Sequence, residues 1–342
     1  MRVVMTLLVR DEADIVGEQI GFHLEHGVDF VVATDHRSTD GTTEILRGYA
    51  REGRLHLIRE EADVLRQADW VTRMARLAAT DFDADWVVNS DADEFWWPRE
   101  GSLRDVLEAI PPRFGAIRGL WRHFVPRPET PEPFYERMIV RRRSTLDFTS
   151  PYHAQVKVVH RATPDVVVTQ GNHDAFGRGL ELIREWCPFE VFHLPVRTRR
   201  QMERKFSAWE ASSASGASTG RHAEVAAAAA HARSAEAVFR DLLVDDDELA
   251  AGLGDGTLAF DTRLRDALRR ASGEPPLLMS QLSIEDDVAF AEELDALLTT
   301  DAAVKLERRT DAFDRRLSAV EAAAATVPGR ALRRLARAAG RR

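Results

Sequence analysis

The sequence predicts an α/β fold in which the strands of a parallel sheet alternate with helices. Two apolar runs, 3–9 and 30–34, have the length and β-branched content of buried strands, and a polar loop and a helical pattern follow each. A third apolar run, 86–88, ends in two carboxylates separated by one residue. Because ligands of such sheets bind beyond the carboxyl ends of the strands, we expect the functional site along that edge.

The first unit is a strand, a polar loop and a helix. The strand 3–9 stops at Arg10, Asp11 and Glu12, and apolar residues then recur near helical spacing over 15–24. Asp11 could line a ligand or cap the following helix, and the two interpretations are compatible.

The second unit repeats this order. The strand 30–34 ends at Asp35, and residues 38–42 read Ser-Thr-Asp-Gly-Thr, in which the glycine suits a tight turn and the polar side chains suit a helix cap. Asp35 therefore lies where it could contact a ligand or simply initiate a turn.

The third strand ends in Asp91-Ala92-Asp93. Residues i and i+2 of an extended segment project to the same side, so both aspartates can face one cation while Ala92 turns away. Hard divalent cations take carboxylate oxygens and commonly keep phosphate oxygens and water in their other positions. In a chain this acidic the triplet alone is weak evidence, and a solvated strand end is the alternative.

Three segments together resemble family 2 glycosyltransferases of the GT-A fold. They are TLLVRDE at 6–12, TDHRSTDGT at 34–42 and NSDADEF at 89–95. One subgroup carries a later His-Tyr-Pro-x-Arg-Ser stretch followed by a lysine, which resembles 193–198 with Lys205, although Leu194 and Thr198 depart from the pattern. The resemblance covers about residues 1 to 210 and implies a Rossmann-like mixed sheet flanked by helices.

The resemblance also implies a site for a nucleotide-diphosphate sugar. Asp35 would accept a hydrogen bond from the base or the ribose, the loop of Arg10, Asp11 and Glu12 would line the base, and Arg73 would lie near the nucleotide. For Asp35 the turn is the alternative, and for Arg73 it is a solvated surface helix.

A bound Mn²⁺ or Mg²⁺ is implied as well. Asp93 would coordinate the ion directly, Asp91 would bind it through water or hold the ribose, and His193 would complete the protein ligands. Lys205 and Arg197 would supply positive charge for the diphosphate, and Lys205 would offset the charge that grows on the leaving group.

The resemblance implies transfer with inversion, for which a side chain must take the proton of the acceptor hydroxyl. Asp174 is the first candidate, because it follows a flexible turn after the strand 166–168 at about the family's separation from the paired aspartates. Glu181 and Glu185 could share one helix face, and His173 is a further candidate. The sequence does not rank them.

Other polar and aromatic positions have structural interpretations. Glu94 is interpreted as a structural residue or a donor-sugar contact, and of the adjacent Trp96 and Trp97 we expect one to be buried and one to lie near the cleft. The basic run 141–143 is interpreted as part of a solvated strand.

Composition limits the class of protein. The 342 residues, 44% of them hydrophobic, suffice for a GT-A domain over 1–210 and a mostly helical extension over 211–342. A single cysteine excludes an intramolecular disulfide, the N-terminal run lacks a signal-peptide pattern, and no segment approaches about 20 uninterrupted apolar residues. We therefore expect a cytoplasmic protein with no transmembrane span, and the net charge of -9 argues against nucleic acid as a partner.

The extension shows a change of composition. A small-residue stretch at 212–220 predicts a linker or loop, and helical patterns follow at 223–243 and 288–298. The basic end at 330–342 could make weak peripheral contact with an anionic membrane at the inner face, although a solvated terminal helix is the interpretation we favour.

The sequence leaves two alternatives to the transferase function. A nucleotidyltransferase acting on a sugar phosphate would normally show a glycine-rich phosphate loop near the N-terminus, where this chain has residues 10–12 instead. An inactive sugar-binding scaffold would not need the retained Asp91, Asp93, His193 and Lys205. The acceptor, whether a glycan, a lipid-linked sugar or a small molecule, is not specified by any feature of the sequence.

Overall fold

The computed structural model describes residues 1–63, 65–146, 152–214, 234–277 and 283–300. Its strands are β1 (Val3–Val9), β2 (Phe30–His36), β3 (Leu55–Glu60), β4 (Trp86–Asp91), β5 (Glu94–Pro98), β6 (Ala116–His123), β7 (Val140–Arg142), β8 (Val156–Arg161), β9 (Val167–Val168), β10 (Ala175–Phe176), β11 (Phe189–His193) and β12 (Leu258–Phe260). Its helices are α1 (Val16–Glu25), α2 (Thr42–Arg51), α3 (Gln67–Thr80), α4 (Leu103–Ala109), α5 (Phe134–Arg137), α6 (Arg199–Ala214), α7 (Ala235–Leu242), α8 (Asp246–Asp255), α9 (Arg263–Ala271) and α10 (284–300).

The central sheet has eight strands in the order β3-β2-β1-β4-β8-β6-β11-β5. The first four are parallel and have the crossovers of a nucleotide-binding α/β unit, whereas β8 runs antiparallel to both β4 and β6 and β5 runs antiparallel to β11. The predicted fold class, a Rossmann-like mixed sheet flanked by helices as in the GT-A fold, is confirmed.

Strand register brings the predicted carboxylates to one edge. Val9 of β1 pairs with Asp35 of β2, and Leu8 of β1 pairs with Asp91 of β4. Since all three strands are parallel, Asp35, Asp91 and the loop after β1 lie beyond the same ends of the sheet.

Each face of the sheet has its own apolar core, because successive residues of a strand point to opposite sides. Met5 and Leu7 pack with α1, α2 and α4 on one face, whereas Val4 packs with α3 on the other. Burying a side chain of this size contributes about 1.5–3 kcal/mol, so alternation along β1 fixes the sheet between two helical layers.

Where it is described, the region after α6 adds helices and one strand. β12 pairs with β7 in an antiparallel ribbon, and the helical patterns are confirmed where they are described, in α7 and α10. The chain divides into two compact units, Met1–Glu293 and Leu294–Arg342. The predicted boundary at residue 210 falls within α6, as do the first three residues of the predicted linker, and the boundary stays a prediction.

The rest of that linker, from 215, residues 223–233 and the basic end at 330–342 lie outside the described residues. Within the described ranges, no helix has both the length and the apolar character needed to cross a membrane.

A buried set of ion pairs ties the sheet to this later region. We call it the junction network, and it comprises Arg122, Arg141, Glu190, Asp261, Arg263, Asp286 and Glu293. Arg141 is fully buried and binds Asp261 and Asp286 at 3.0 and 2.7 Å. The interpretation of 141–143 as a solvated strand was therefore wrong for Arg141, because its acidic partners lie more than a hundred positions away in the sequence.

Candidate active site

Cross-strand pairing gathers polar side chains on one face of the sheet. Glu94 of β5 pairs with His193 of β11, which pairs with His123 of β6. Lys157 of β8 pairs with the residue two positions before Trp121 on β6. Paired residues face the same side, as do residues i and i+2, so these five side chains share one face of the sheet.

This face and the turn after β4 form a charged group that we call the central cluster. It comprises Asp91, Asp93, Glu94, Lys157, His193 and Lys205.

Lys157 is the buried cation of the cluster. Its Nζ lies 2.5 Å from Asp91 Oδ2 and 2.8 Å from Glu94 Oε1, 5.0 Å from the centre of the Trp121 ring. Burial disfavours the ammonium ion, but the two carboxylates outweigh it and raise the pKa of Lys157. Trp121 Nε1 also donates to Glu94 Oε1 at 2.9 Å, and burial raises the pKa of Glu94 to about 8 despite Lys157. Glu94 thus takes up a proton more readily than a solvated glutamate does.

Asp93 is the carboxylate that the two distant motifs share. Lys205 Nζ donates to its Oδ2 at 2.8 Å, and His193 Nε2 lies 3.8 Å from its Oδ1. Burial alone would raise the pKa of Asp93, but Lys205, His193 and Arg197 together outweigh burial and lower the pKa. Lys205 also donates to the Pro195 carbonyl at 3.0 Å and lies 3.4 Å from Glu12, and these contacts hold its ammonium group beside Asp93.

Arg197 has a different environment from Lys205. Its fully buried guanidinium pairs with Glu12 and Asp14 and donates to the Leu194 carbonyl at 2.9 Å. Burial disfavours the cation, yet Glu12 and Asp14 outweigh it and raise the pKa of Arg197. Arg197 therefore fastens the loop after β1 to the segment that carries His193.

The loops after β1 and β2 brace each other. Asp11 has a φ of 53°, unusual for a residue with a side chain, and its Oδ1 accepts from Thr39 N at 2.7 Å. Its own N–H donates to Ser38 Oγ at 3.0 Å. Helix α1 has its N-cap at Ile15 with no side-chain cap bond, so the alternative of Asp11 as a helix cap was wrong. Arg10, beside it, is one of the more exposed side chains of this edge.

Asp35 and Arg73, which the resemblance implied as nucleotide contacts, have different environments. Asp35 is fully buried, and its two oxygens accept from Ser38 N at 3.1 Å and from Thr43 Oγ1 at 2.5 Å. These contacts support its role in the turn. Arg73 is exposed and pairs with Glu60 at the end of β3 at 3.2 Å.

Asp174 lies next to the cluster rather than within it. Its Oδ2 accepts from Arg118 at 3.1 Å, and strand alternation places Arg118 on the opposite face of β6 from Trp121. The preceding Asn172 contacts the cluster directly, since its Nδ2 donates to Asp91 Oδ1 at 3.3 Å. The buried Oδ1 of Asn172 has no hydrogen-bond partner among the described residues.

The other base candidates differ in position. The imidazole of His173 lies edge-on to Trp121 with ring centres 6.0 Å apart, and its Nδ1 bonds the Val156 carbonyl at 2.7 Å. Glu181 and Glu185 are exposed in a segment that is not helical, so the expectation that they share a helix face was wrong.

The sequence reasoning missed Lys157 and gave His123 and Trp121 no role in the site. A lysine within the apolar run 156–159 was the available signal, since a charged residue is almost never buried without a partner. Trp96 is buried and Trp97 is partly exposed, as the alternation of an extended segment predicts.

The cluster has a donor set that fits a divalent cation. One ligand atom each from Asp93, Glu94 and His193 lies within 4.8 Å of the other two. Burial lowers the pKa of His193, which keeps an imidazole nitrogen available beside the carboxylates. Nitrogen with carboxylate and phosphate oxygens suits Mn²⁺, and carboxylates also accept Mg²⁺. Asp91 is not one of these three residues, and Glu94 takes the place that the resemblance gave to Asp91.

A Rossmann-like sheet with carboxylates, an imidazole and ammonium groups gathered at its site is the architecture of the glycosyltransferase class that the sequence resemblance implied. The sequence model of glycosyltransferase family 92 matches residues 4–176, just over half of the chain, and the chain belongs to that family. The class is thus confirmed, whereas the assignment to family 2 is not. No protein of curated function matches the sequence.

Several solved structures are similar at low identity. S. aureus TarS 1-349 in complex with UDP-GlcNAc is 13% identical, with 90% of this chain and 92% of that chain covered and a TM-score of 0.36. A second S. aureus TarS structure is 11% identical with a TM-score of 0.33, and the match covers 61% of this chain and only 40% of that one. A mycobacterial protein is 23% identical, with 38% and 42% covered and a TM-score of 0.25. Scores this low carry no argument about function.

Proposed function

We propose that the protein transfers a sugar from a nucleotide-diphosphate sugar to an acceptor hydroxyl, with inversion and with the help of Mn²⁺ or Mg²⁺. The observation that carries this proposal is the meeting of Asp93 and His193, a hundred positions apart, at 3.8 Å beside Glu94. Both lie at the edge where the carboxyl ends of β1, β2 and β4 converge, which is where an α/β sheet binds its ligand.

Asp93, Glu94 and His193 would hold the cation, and Asp91 would bind through water or hold the ribose. A bound Mn²⁺ or Mg²⁺ would supply Lewis-acid charge to the diphosphate leaving group. Lys205 would add its ammonium charge to that group, because it lies beside Asp93 and 24% of its side chain is exposed. The buried Lys157 holds Asp91 and Glu94 in place.

The donor nucleotide would lie along the loops after β1 and β2. Arg10, Asp11 and Glu12 would line the base, Asp35 would support the turn that receives the ribose, and the exposed Arg73 would pair with the nucleotide in place of Glu60. The mutual bracing of these loops would preorganise that surface.

The acceptor oxygen would attack the anomeric carbon as the bond to the nucleoside diphosphate breaks, and its proton would pass to a base of the protein. Asp174, Glu181 and Glu185 stay the candidates for that base. His173 is a fourth, supported by its contact with Trp121.

Incubation with individual nucleotide-diphosphate sugars, Mn²⁺ and candidate acceptors tests this function. We expect release of nucleoside diphosphate together with a glycoside of inverted anomeric configuration, both suppressed by EDTA. Pyrophosphate formed from a nucleoside triphosphate and a sugar phosphate would indicate a nucleotidyltransferase instead. Undiminished transfer in EDTA would overturn the metal dependence.

A further inference from the structure

His193 and His123 form a buried pair whose hydrogen bonds fix where each proton lies. His193 Nδ1 lies 3.0 Å from His123 Nδ1, and His123 Nε2 lies 3.0 Å from the carbonyl oxygen of His153. A carbonyl oxygen can only accept a hydrogen bond, so His123 Nε2 carries a proton.

His123 is neutral, because its side chain is fully buried and its two described hydrogen-bond partners are a carbonyl and another imidazole. A neutral imidazole protonated on Nε2 has a lone pair on Nδ1. The short contact between the two Nδ1 atoms therefore requires His193 Nδ1 to be the donor.

The proton on Nδ1 of His193 determines the state of the other ring nitrogen, Nε2. With its proton on Nδ1, the neutral ring has a lone pair on Nε2, and Nε2 is the atom 3.8 Å from Asp93 Oδ1. The lone pair of His193 Nε2 and the carboxylate of Asp93 thus face each other, and no hydrogen bond joins them. Such an arrangement favours a cation between them.

The ring is also held against rotation. It stacks on Trp121 with ring centres 4.1 Å apart and an angle of 14° between the planes. Trp121 is itself fixed by its hydrogen bond to Glu94. The tautomer and the ring direction are thus set by separate contacts.

We propose that His123 is a positioning residue that holds His193 in the tautomer with Nδ1 protonated, so that Nε2 is presented to the cation as a ligand. The inference rests on the metal centre of the proposed function. It assigns to His123 and the His153 carbonyl the outer contacts that fix a ligating imidazole.

Two variants of His123 separate positioning from packing. His123→Asn keeps an acceptor oxygen near the position of Nδ1, whereas His123→Phe keeps the ring volume and removes the acceptor. Without an acceptor, His193 is expected to shift its proton to Nε2 and donate toward Asp93. Thermal unfolding of both full-length variants shows whether the fold is retained.

The first measurement is the long-range ¹H–¹⁵N correlation spectrum of the histidine rings in the metal-free full-length chain, with His193 assigned by substitution. We expect the Nδ1-protonated pattern in the unaltered chain and in His123→Asn, and its loss in His123→Phe. A proton on Nε2 of His193 in the unaltered chain overturns the inference, as does an unchanged pattern in His123→Phe.

The second measurement is Mn²⁺ affinity from the electron paramagnetic resonance signal of the free ion. The Kd is expected to rise about 10–100-fold in His123→Phe and to stay near the unaltered value in His123→Asn. Equal affinities in all three chains overturn the positioning role. If the unaltered chain shows the expected tautomer but binds no Mn²⁺, the metal centre of the proposed function fails while the role of His123 in fixing His193 stands.

Discussion

The central cluster and the junction network both bury charged side chains, but only the cluster leaves part of its charge open to solvent. In the cluster the side chains of Asp91 and Lys205 are 27% and 24% exposed. In the junction network the most exposed side chain is Arg263, at 11%.

The difference lies in how the hydrogen-bonding groups are used. Arg141 in the network binds Asp261 and Asp286 and also donates to a carbonyl through its remaining nitrogen at 3.2 Å. In the cluster, Asp93 and His193 approach each other without a hydrogen bond, and Asn172 keeps an oxygen without a partner among the described residues. Arg122 Nε of the network also lacks a hydrogen-bond partner among the described residues, but it lies 3.4 Å from Glu190 Oε1. The charges of the network are paired with one another and shielded from solvent, which supports the fold, whereas the partly exposed charges of the cluster can meet a ligand.

The largest effect is expected from breaking the junction network. Arg141→Met leaves Asp261 and Asp286 buried without their shared cation, which should lower the free energy of unfolding by about 3–5 kcal/mol. Urea denaturation measures this loss. The adjacent Arg142→Met is the control, because Arg142 is only partly buried over the Tyr152 ring and should cost below about 1 kcal/mol. Equal losses of unfolding free energy in the two variants would show that the junction network makes no specific contribution to stability.

The next effect separates function from stability. Asp93→Asn removes the carboxylate shared by Lys205 and the proposed cation, and should lower kcat/KM at least about 100-fold. Its effect on unfolding should be smaller than that of Arg141→Met. Asp69→Asn, which alters an exposed pair with Arg66, serves as the control and should retain transfer. Full activity in Asp93→Asn contradicts the proposed site.

A pH effect is expected from Glu94 in the metal-free chain. Burial raises its pKa from 4.5 to about 8, so the folded chain retains a proton that the unfolded chain has released in this window. The stabilisation is fully present below pH 4.5 and is lost as the pH rises toward 8. Relative to the unaltered chain, Glu94→Gln should therefore gain stability by about 1.4 kcal/mol for each pH unit across the window.

Denaturation of both chains at several pH values measures this difference. Asp91 N also donates to Glu94. Any change in this hydrogen bond in Glu94→Gln alters the free energy of unfolding by the same amount at every pH. The exposed Glu181→Gln is the control and should show no such trend. A pH-independent difference for Glu94→Gln would mean that Glu94 is charged in the folded chain.

The smallest effect on stability is expected at the rim. Arg73→Ala breaks an exposed pair with Glu60 and should cost below about 1 kcal/mol of unfolding free energy. If Arg73 contacts the nucleotide as proposed, the donor Kd should rise about tenfold, the loss of one charged hydrogen bond. Calorimetric titration with the donor measures this Kd. The control is Arg240→Ala on α7, which breaks another exposed ion pair. Unchanged donor binding removes Arg73 from the site.

Much of the fold could be predicted from patterns among residues that are close in the sequence. The apolar runs 3–9, 30–34 and 86–88 lie within β1, β2 and β4, because a strand buried on both faces is continuously apolar. The turn around Asp35 also follows from local chemistry, since its carboxylate bonds residues three and eight positions later. Such features depend on neighbours in the sequence.

Lys157 and Arg141 show where local pattern fails. Lys157 meets Asp91 across 66 positions, and Arg141 meets Asp286 across 145. Read alone, a run of arginines indicates solvated charge, and a lysine in an apolar run indicates a buried partner without identifying it. Their partners are brought near only by strand pairing and by the packing of the later helices.

The sequence by itself determined the strand–helix alternation and the placement of carboxylates at strand ends, because side-chain periodicity and turn chemistry act over a few residues. Tertiary structure alone decided that Glu94, His193 and His123 stand in one row, since that row depends on the register of three strands from distant parts of the chain. It also decided which charges are enclosed and which stay partly exposed, because burial is a property of the assembled sheet and its covering elements.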